Sequence, residues 1–264
     1  MNLTWFDANS WLIEAAGNRI LVDPWLVGDL IFGNLPWLVR GVRSHPASIP
    51  DNIDLILLSQ GLADHAHPPT LALLDKAIPV VASPDGADVA KQAGFQRVIA
   101  LGHGNSFAFS NLEGPNVEIQ AFVGAPVGPT KKENAYVLHF LSTGTKLYYE
   151  PHGYPDAEHL QTLGSVDIAI TPMADQTLLG VAPVIRGSVA APRIAELLSP
   201  RVMLPTAEAG RVAYEGLIAP TLTTKGGADA MRSLFGSQGK NIQVIQPISE
   251  ETIELDLQPA SHPA

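Results

Sequence analysis

DLILLSQGLADHAH, residues 54–67, is the stretch that decides how this chain folds. Four aliphatic residues, Leu55 to Leu58, run without interruption and stop at Ser59, the pattern of a strand buried on both faces. The loop that follows carries Asp64, His65 and His67 within four positions, and Pro68-Pro69 then opens a helix. Carboxylate and imidazole groups gathered at a strand end are what a hydrolase uses to hold a metal or to move protons.

Working outward, residues 3–6, 11–15 and 20–22 read as short antiparallel strands, with a hairpin turn at Gly17-Asn18. An irregular Gly- and Pro-bearing excursion occupies 28–50. Strand and helix then alternate, as strand 54–59, helix 69–77, strand 79–82, helix 85–93 and strand 97–101, which implies a parallel portion. Consecutive strands follow at 117–123, 136–140 and 146–150, with GAPVGPT, residues 124–130, as a loop between the first two. A second alternating run has helix 156–163, strand 166–171, a loop through Arg186, helix 188–198 and strand 202–204. A helix over 227–235, strands at 242–245 and 252–255, and a tail from about 257 expected to fray complete the chain. Two strand-rich halves with βα units predict two sheets packed face to face with helices outside, an α/β protein of αββα type. No composition break divides residues 1–264, so the expectation is a single domain.

Composition limits the chemistry. A net charge of −10 with 16 Lys plus Arg excludes a general nucleic-acid or anionic-membrane surface, which needs clustered positive charge. With 46% hydrophobic residues there is material for a large core. With no cysteine, any metal must be held by histidine and carboxylate. The first 25 residues lack a basic start followed by an apolar run, so the expectation is a soluble, cytoplasmic protein whose partner is a small molecule.

NRILVDPWL, residues 18–26, followed some thirty residues later by DLILLSQGLADHAH, resembles the metallo-β-lactamase superfamily, particularly its branch related to L-ascorbate-6-phosphate lactonase. The resemblance implies a four-layer αββα sandwich, one or two divalent metals between the sheets, and hydrolysis by metal-bound hydroxide. Position by position, it makes Asp23 the early aspartate that supports the metal loop and Asp64 and His65 the final D-H of the H-x-H-x-D-H motif. Gln60 and Leu62 stand where the motif's first two histidines belong. GAPVGPT stands where a later histidine is expected, Glu150 in LYYEPHG at the bridging aspartate, and Thr206 in VMLPTAE at the last histidine. Leucine has no lone pair to offer and an amide oxygen suits zinc poorly. The resemblance therefore implies at most one divalent metal, zinc, manganese or iron, on Asp64, His65 and Glu150. A degenerate, metal-free binding or regulatory protein is the competing reading.

His65, His67 and His152 are the candidate proton carriers. Glu150 and His152, two apart at the exit of an apolar strand, are expected to point the same way. Asp23, Gln60 and Thr206 are expected to support the site from behind. Asn9 in DANS, Lys132 in PTKKENAY and Arg186 before the helix start at Ser188 are candidate contacts for a small, anionic ester, lactone or phosphate-bearing substrate. Against these stand ordinary roles: Asp64 as a helix cap, Lys132 and Arg186 as solvated charges, Asn9 as a turn residue.

Overall fold

The computed structural model of the chain describes residues 1–110 and 116–257. It contains two seven-stranded sheets. The first runs in the order Thr252–Glu254, Asn2–Trp5, Trp11–Ala15, Asn18–Val22, Leu55–Leu58, Val80–Ala82 and Val98–Ala100, antiparallel up to Asn18–Val22 and parallel beyond it. The second runs Gln243–Val244, Val202–Leu204, Ile168–Ile170, Thr145–Tyr149, Lys131–Phe140, Val117–Val127 and Ser106–Phe109, parallel up to Thr145–Tyr149 and antiparallel after it.

The period-2 alternation of these strands makes the layers. Leu55 and Leu57 face the core between the sheets while Ile56 and Leu58 face outward. Leu147 and Tyr149 enter the same core from the second sheet, and Tyr148 turns away from it. Helices Pro68–Leu73 and Pro84–Gln92 cover the first sheet through Leu71, Ala87 and Ala90. Helices Gly187–Leu198 and Ala228–Ser237 cover the second through Ile194, Leu198, Met231 and Phe235. The result is the expected αββα sandwich. Local signals set the helix starts: Ser83 accepts from the Gly86 N–H with Pro84 at the first turn, a cap of about 1 kcal/mol.

Several expectations need correction. The first hairpin turns at Ala16 and Gly17, both at positive φ, and Asn18 already belongs to the strand. GAPVGPT is not a loop: strands Val117–Val127 and Lys131–Phe140 continue through it and turn only at 128–130. A register shift between Val123 and Pro126 absorbs the proline, which cannot donate to the ladder. The loop through Arg186 is a hairpin, Ala174–Leu178 with Ala182–Arg186, joined by Thr223–Gly226 in a three-stranded sheet. Part of the 28–50 excursion forms a second small sheet, Leu30–Ile31, Arg40–Arg43 and Val212–Glu215. The helix expected over 156–163 is one turn, Ala157–Leu160. The expected fraying tail lies outside the described residues. Among the described residues no helix is long and apolar enough to cross a membrane.

Candidate active site

Asp23 ends strand Asn18–Val22 at a φ of 42°, held there by its own N–H donating to the Leu57 carbonyl at 2.9 Å. This sparsely populated conformation turns its carboxylate under the loop that follows Leu58. Oδ1 accepts from the Ser59 N–H at 2.7 Å; Oδ2 accepts from the Ser59 hydroxyl at 2.6 Å, the Tyr149 hydroxyl at 2.6 Å and His65 Nδ1 at 2.8 Å. All of these groups are fully buried. Because Nδ1–H is committed to Asp23, the His65 ring presents Nε2 to the space between the sheets. Burial works to lower the His65 pKa, but Asp64 and Asp23 on either side raise it well above the ordinary histidine value.

His152 is anchored the same way by a residue that sequence reasoning missed. Glu133, in strand Lys131–Phe140 and fully buried, accepts from His152 Nδ1 at 2.7 Å, Gln60 Nε2 at 3.0 Å and the Ala125 N–H at 2.9 Å. It lies against Gly124, where an added Cβ would come within 2.6 Å of Glu133 Cγ. GAPVGPT, where the resemblance expects a histidine, is thus packed at its first residue by a carboxylate, and the Gln60 amide points at that carboxylate. Leu62, at the other missing histidine, is 47% exposed and forms no apolar floor. Glu133 follows directly on the exposed Lys131 and Lys132. The legible signal was its place in a strand whose next residues, Asn134 to Leu138, are buried on both faces.

Asp64 completes the centre. Its Oδ2 lies 3.2 Å from His65 Nε2, the His65 and His152 rings stand 5.0 Å apart, and one donor atom from each of Asp64, His65 and His152 falls within 4.8 Å of the others. Asp64 Oδ1 is buried without a hydrogen-bond partner. Two imidazoles with Nδ1 held by carboxylates, plus a carboxylate with an unpaired oxygen, fit one divalent metal with three protein ligands. Among the described residues no second group of such donors adjoins them, and Glu133 fills the space beside Gly124. Asp64 does not cap the following helix, whose N-cap is His67 without a side-chain bond.

Glu150 stands apart from this group. The chain turns after Pro151, so Glu150 and His152 do not share a face. Instead the Glu150 carboxylate accepts from the N–H groups of His152, Gly153 and Tyr154 at 2.8 to 3.0 Å and from the Thr171 hydroxyl at 3.3 Å. Its task is to shape the His152 loop, at Gly153 with a φ of 86° and an added Cβ 2.8 Å from the Arg186 backbone. Burial and then the nearby Glu133 charge push its pKa up to about 7. His67 is also outside the centre: Nδ1 meets the Thr70 hydroxyl at 3.1 Å and Nε2 the Asp29 carbonyl at 3.2 Å, with burial lowering its pKa. Lys132 is exposed on the long hairpin. Arg186 stacks over Tyr154 at 5.4 Å, and the helix start beside it is taken by Asp175, which accepts from the Ser188 N–H at 2.9 Å.

Asn9 does reach the centre. Thr206 accepts from Trp11 Nε1 at 3.0 Å, and its hydroxyl lies 3.1 Å from Asn9 Oδ1, which leaves Asn9 Nδ2 facing His65 Nε2 at 3.5 Å. The loop bearing Asn9 is fixed by a buried ion pair, Arg43 to Asp7 at 2.8 Å. Asn9, Asp64 and His152 form the polar end of a pocket of about 170 Å³, whose other walls come from the two small sheets and the turn at 218–222.

An αββα sandwich with its acid and imidazole groups at one rim of facing sheets defines a metallo-hydrolase-like scaffold. Residues 2–207 match the family described as a beta-lactamase superfamily domain, and the chain belongs to the metallo-β-lactamase superfamily. It is similar in fold to a novel metallo hydrolase from the hyperthermophilic archaeon Ignicoccus hospitalis, with a TM-score of 0.68 at 14% identity over 97% of this chain and 99% of that one. An isothiocyanate hydrolase from Delia radicum gut bacteria aligns with a TM-score of 0.70 at 16% identity, again over 97% and 99%. A possible metal-dependent hydrolase from Veillonella parvula gives 0.69 at 13% over the same shares. No curated protein sequence matches.

Proposed function

We propose that this chain is a hydrolase of small ester, lactone or phosphate-bearing molecules that works with a single divalent metal, zinc, manganese or iron, on Asp64, His65 and His152. The observation that carries this reading is the convergence of those three donors with both Nδ1 atoms held by buried carboxylates. Kinship with the branch of L-ascorbate-6-phosphate lactonase belongs to the same reading, supported by VDPWL and the retained Asp64-His65 pair. So do a cytoplasmic location and the absence of nucleic-acid or membrane partners, supported by the net charge of −10.

When bound, the metal would supply Lewis acidity and a water of lowered pKa. Asp23 and Glu133 keep the two imidazoles in the tautomer that offers Nε2. Asn9 Nδ2, oriented through Thr206, donates to a substrate oxygen at the pocket's polar end. Burial works to raise the Asp64 pKa, but His65 beside it holds it below the ordinary carboxylate value, so Asp64 stays ionised as a ligand with Oδ1 otherwise unpaired.

Metal analysis of protein purified without chelator, then reconstitution with zinc, manganese and iron and an ester, lactone and phosphodiester panel, tests this. One equivalent of metal and turnover lost in Asp64→Asn are expected; neither metal nor turnover sinks the reading. A second reading, a metal-free ligand-binding protein, is favoured by one observation: His65 bridges Asp23 and Asp64, a closed chain that needs no cation when the ring is protonated. Under it, chelator leaves the melting temperature unchanged and Asp64→Asn costs no stability. A metal bound only by the folded chain must raise it.

A further inference from the structure

We infer that the walls of the pocket beside the centre take an uncharged, ring-sized apolar group, an aryl or compact alkyl substituent, and reject a charged group in its place. Combined with the hydrolase reading, on which only the reaction depends, this makes the substrate one whose hydrolysed bond carries an apolar substituent.

Three observations support it. The volume, about 170 Å³, is close to the ~150 Å³ of an apolar cavity that holds a benzene ring. The walls are Val39, Leu178, Ile185, Ile218 and Leu222, supplied by the two small sheets and the turn between them. These five belong to none of the apolar clusters that hold sheets and helices together, so their side chains meet around the pocket without serving the layers of the sandwich. Polar atoms are confined to one end. Gln176 spends its Nε2 on the Ala207 carbonyl at 2.7 Å, and Tyr214 keeps a neutral phenol because burial, then Asp64, raises its pKa to about 12.

Charge gives the selectivity. No lysine or arginine is among the lining residues. The cations expected for an anionic substrate are elsewhere: Lys132 on the long hairpin and Arg186 over Tyr154. An anionic substituent seated against the aliphatic walls would lose its hydration with no lysine or arginine to replace it. A neutral carbonyl meets Asn9 Nδ2 while its substituent occupies the walls.

Benzamide, which carries a ring and a neutral carbonyl and is not an ester, is the probe, with 4-carboxybenzamide and 4-carbamoylphenyl phosphate as counterparts that keep the amide end and carry their charge on the part of the ring that meets the walls. Ligand-observed NMR titration of the purified protein, before and after chelation, should show benzamide binding at least tenfold more tightly than either anion in both states. Leu222→Trp, which fills the pocket from its part-exposed rim, should weaken benzamide at least tenfold with metal content and circular dichroism unchanged. Val184→Phe, at a 41% exposed rim position, serves if the first variant does not fold. Either anion binding as tightly as benzamide, or benzamide binding unaffected in the folded filled variant, overturns the inference. Loss of the metal and turnover predictions with benzamide binding intact removes the hydrolase reading and leaves the pocket assignment standing.

Discussion

The two flanks of the centre solve the same electrostatic problem in opposite ways. On the flank of Gln60, Gly124 and Glu133, a buried carboxylate accepts from three donors at 2.7 to 3.0 Å. On the flank of Asp64, His65 and His152, two ring nitrogens and a carboxylate oxygen face one another without enough partners. One flank is thus a hydrogen-bonded network that positions the other.

The largest effect that would test this contrast is on the open flank. His65→Ala should abolish metal retention and cost about 3–5 kcal/mol in denaturant unfolding, because Asp23 keeps its burial and loses its charged partner. A cost below 1 kcal/mol would show that Ser59 and Tyr149 suffice to hold Asp23.

Next comes pH. In chelator, Glu150 titrates near 7 in the folded chain against an ordinary 4.5. Between those values the folded state keeps a proton that the unfolded chain has released, so stability falls as pH rises through the window, by at most about 3 kcal/mol. His65 acts in the same direction: its raised pKa gives stability below 6.5 that is lost as pH rises through the folded value. Metal-loaded protein should slope the other way, since metal must displace these imidazole protons and binds more tightly as pH rises. Parallel slopes in melting temperature for chelated and loaded protein would contradict the metal assignment.

A smaller effect is expected on the closed flank. Glu133→Gln should cost about 1–3 kcal/mol and weaken metal retention without abolishing it, since His152 loses its anchor while Asp64 and His65 stay in place. Equal loss of metal in Glu133→Gln and His65→Ala would erase the distinction between flanks. The smallest concerns the rejected contacts: Lys132→Ala and Arg186→Ala should each stay within about 0.5 kcal/mol of the parent and leave benzamide binding unchanged.

The layered fold was legible because buried strands announce themselves by uninterrupted aliphatic runs, as at 55–58, and helices by Pro and Ser at their starts, as at 83–84. What misled was chemistry that depends on partners far along the chain. Gly and Pro in 124–130 signal a loop, yet a bulge opposite Lys131–Asn134 lets the hairpin run on. Glu150 has the right side chain at the right strand exit, but the turn at 151–154 brings three N–H groups to it first. Glu133 sits beside two lysines, and nothing local says that it pairs with His152 nineteen residues on. Asp23, Asp64 and His65 were picked out by the resemblance that VDPWL and LADH carry, and Asn9 by its place in DANS, although the partners of Asp23 and Asn9, Tyr149 and Thr206, lie far along the chain.

The packing of Glu133 against Gly124 also ties bulk at one position to order at another. Any side chain at 124 would place its Cβ 2.6 Å from Glu133 Cγ, so the glutamate would have to move aside. A glutamate that moves takes with it the acceptor of both His152 and Gln60. Residue 124, which touches no imidazole, thereby governs how firmly one is held.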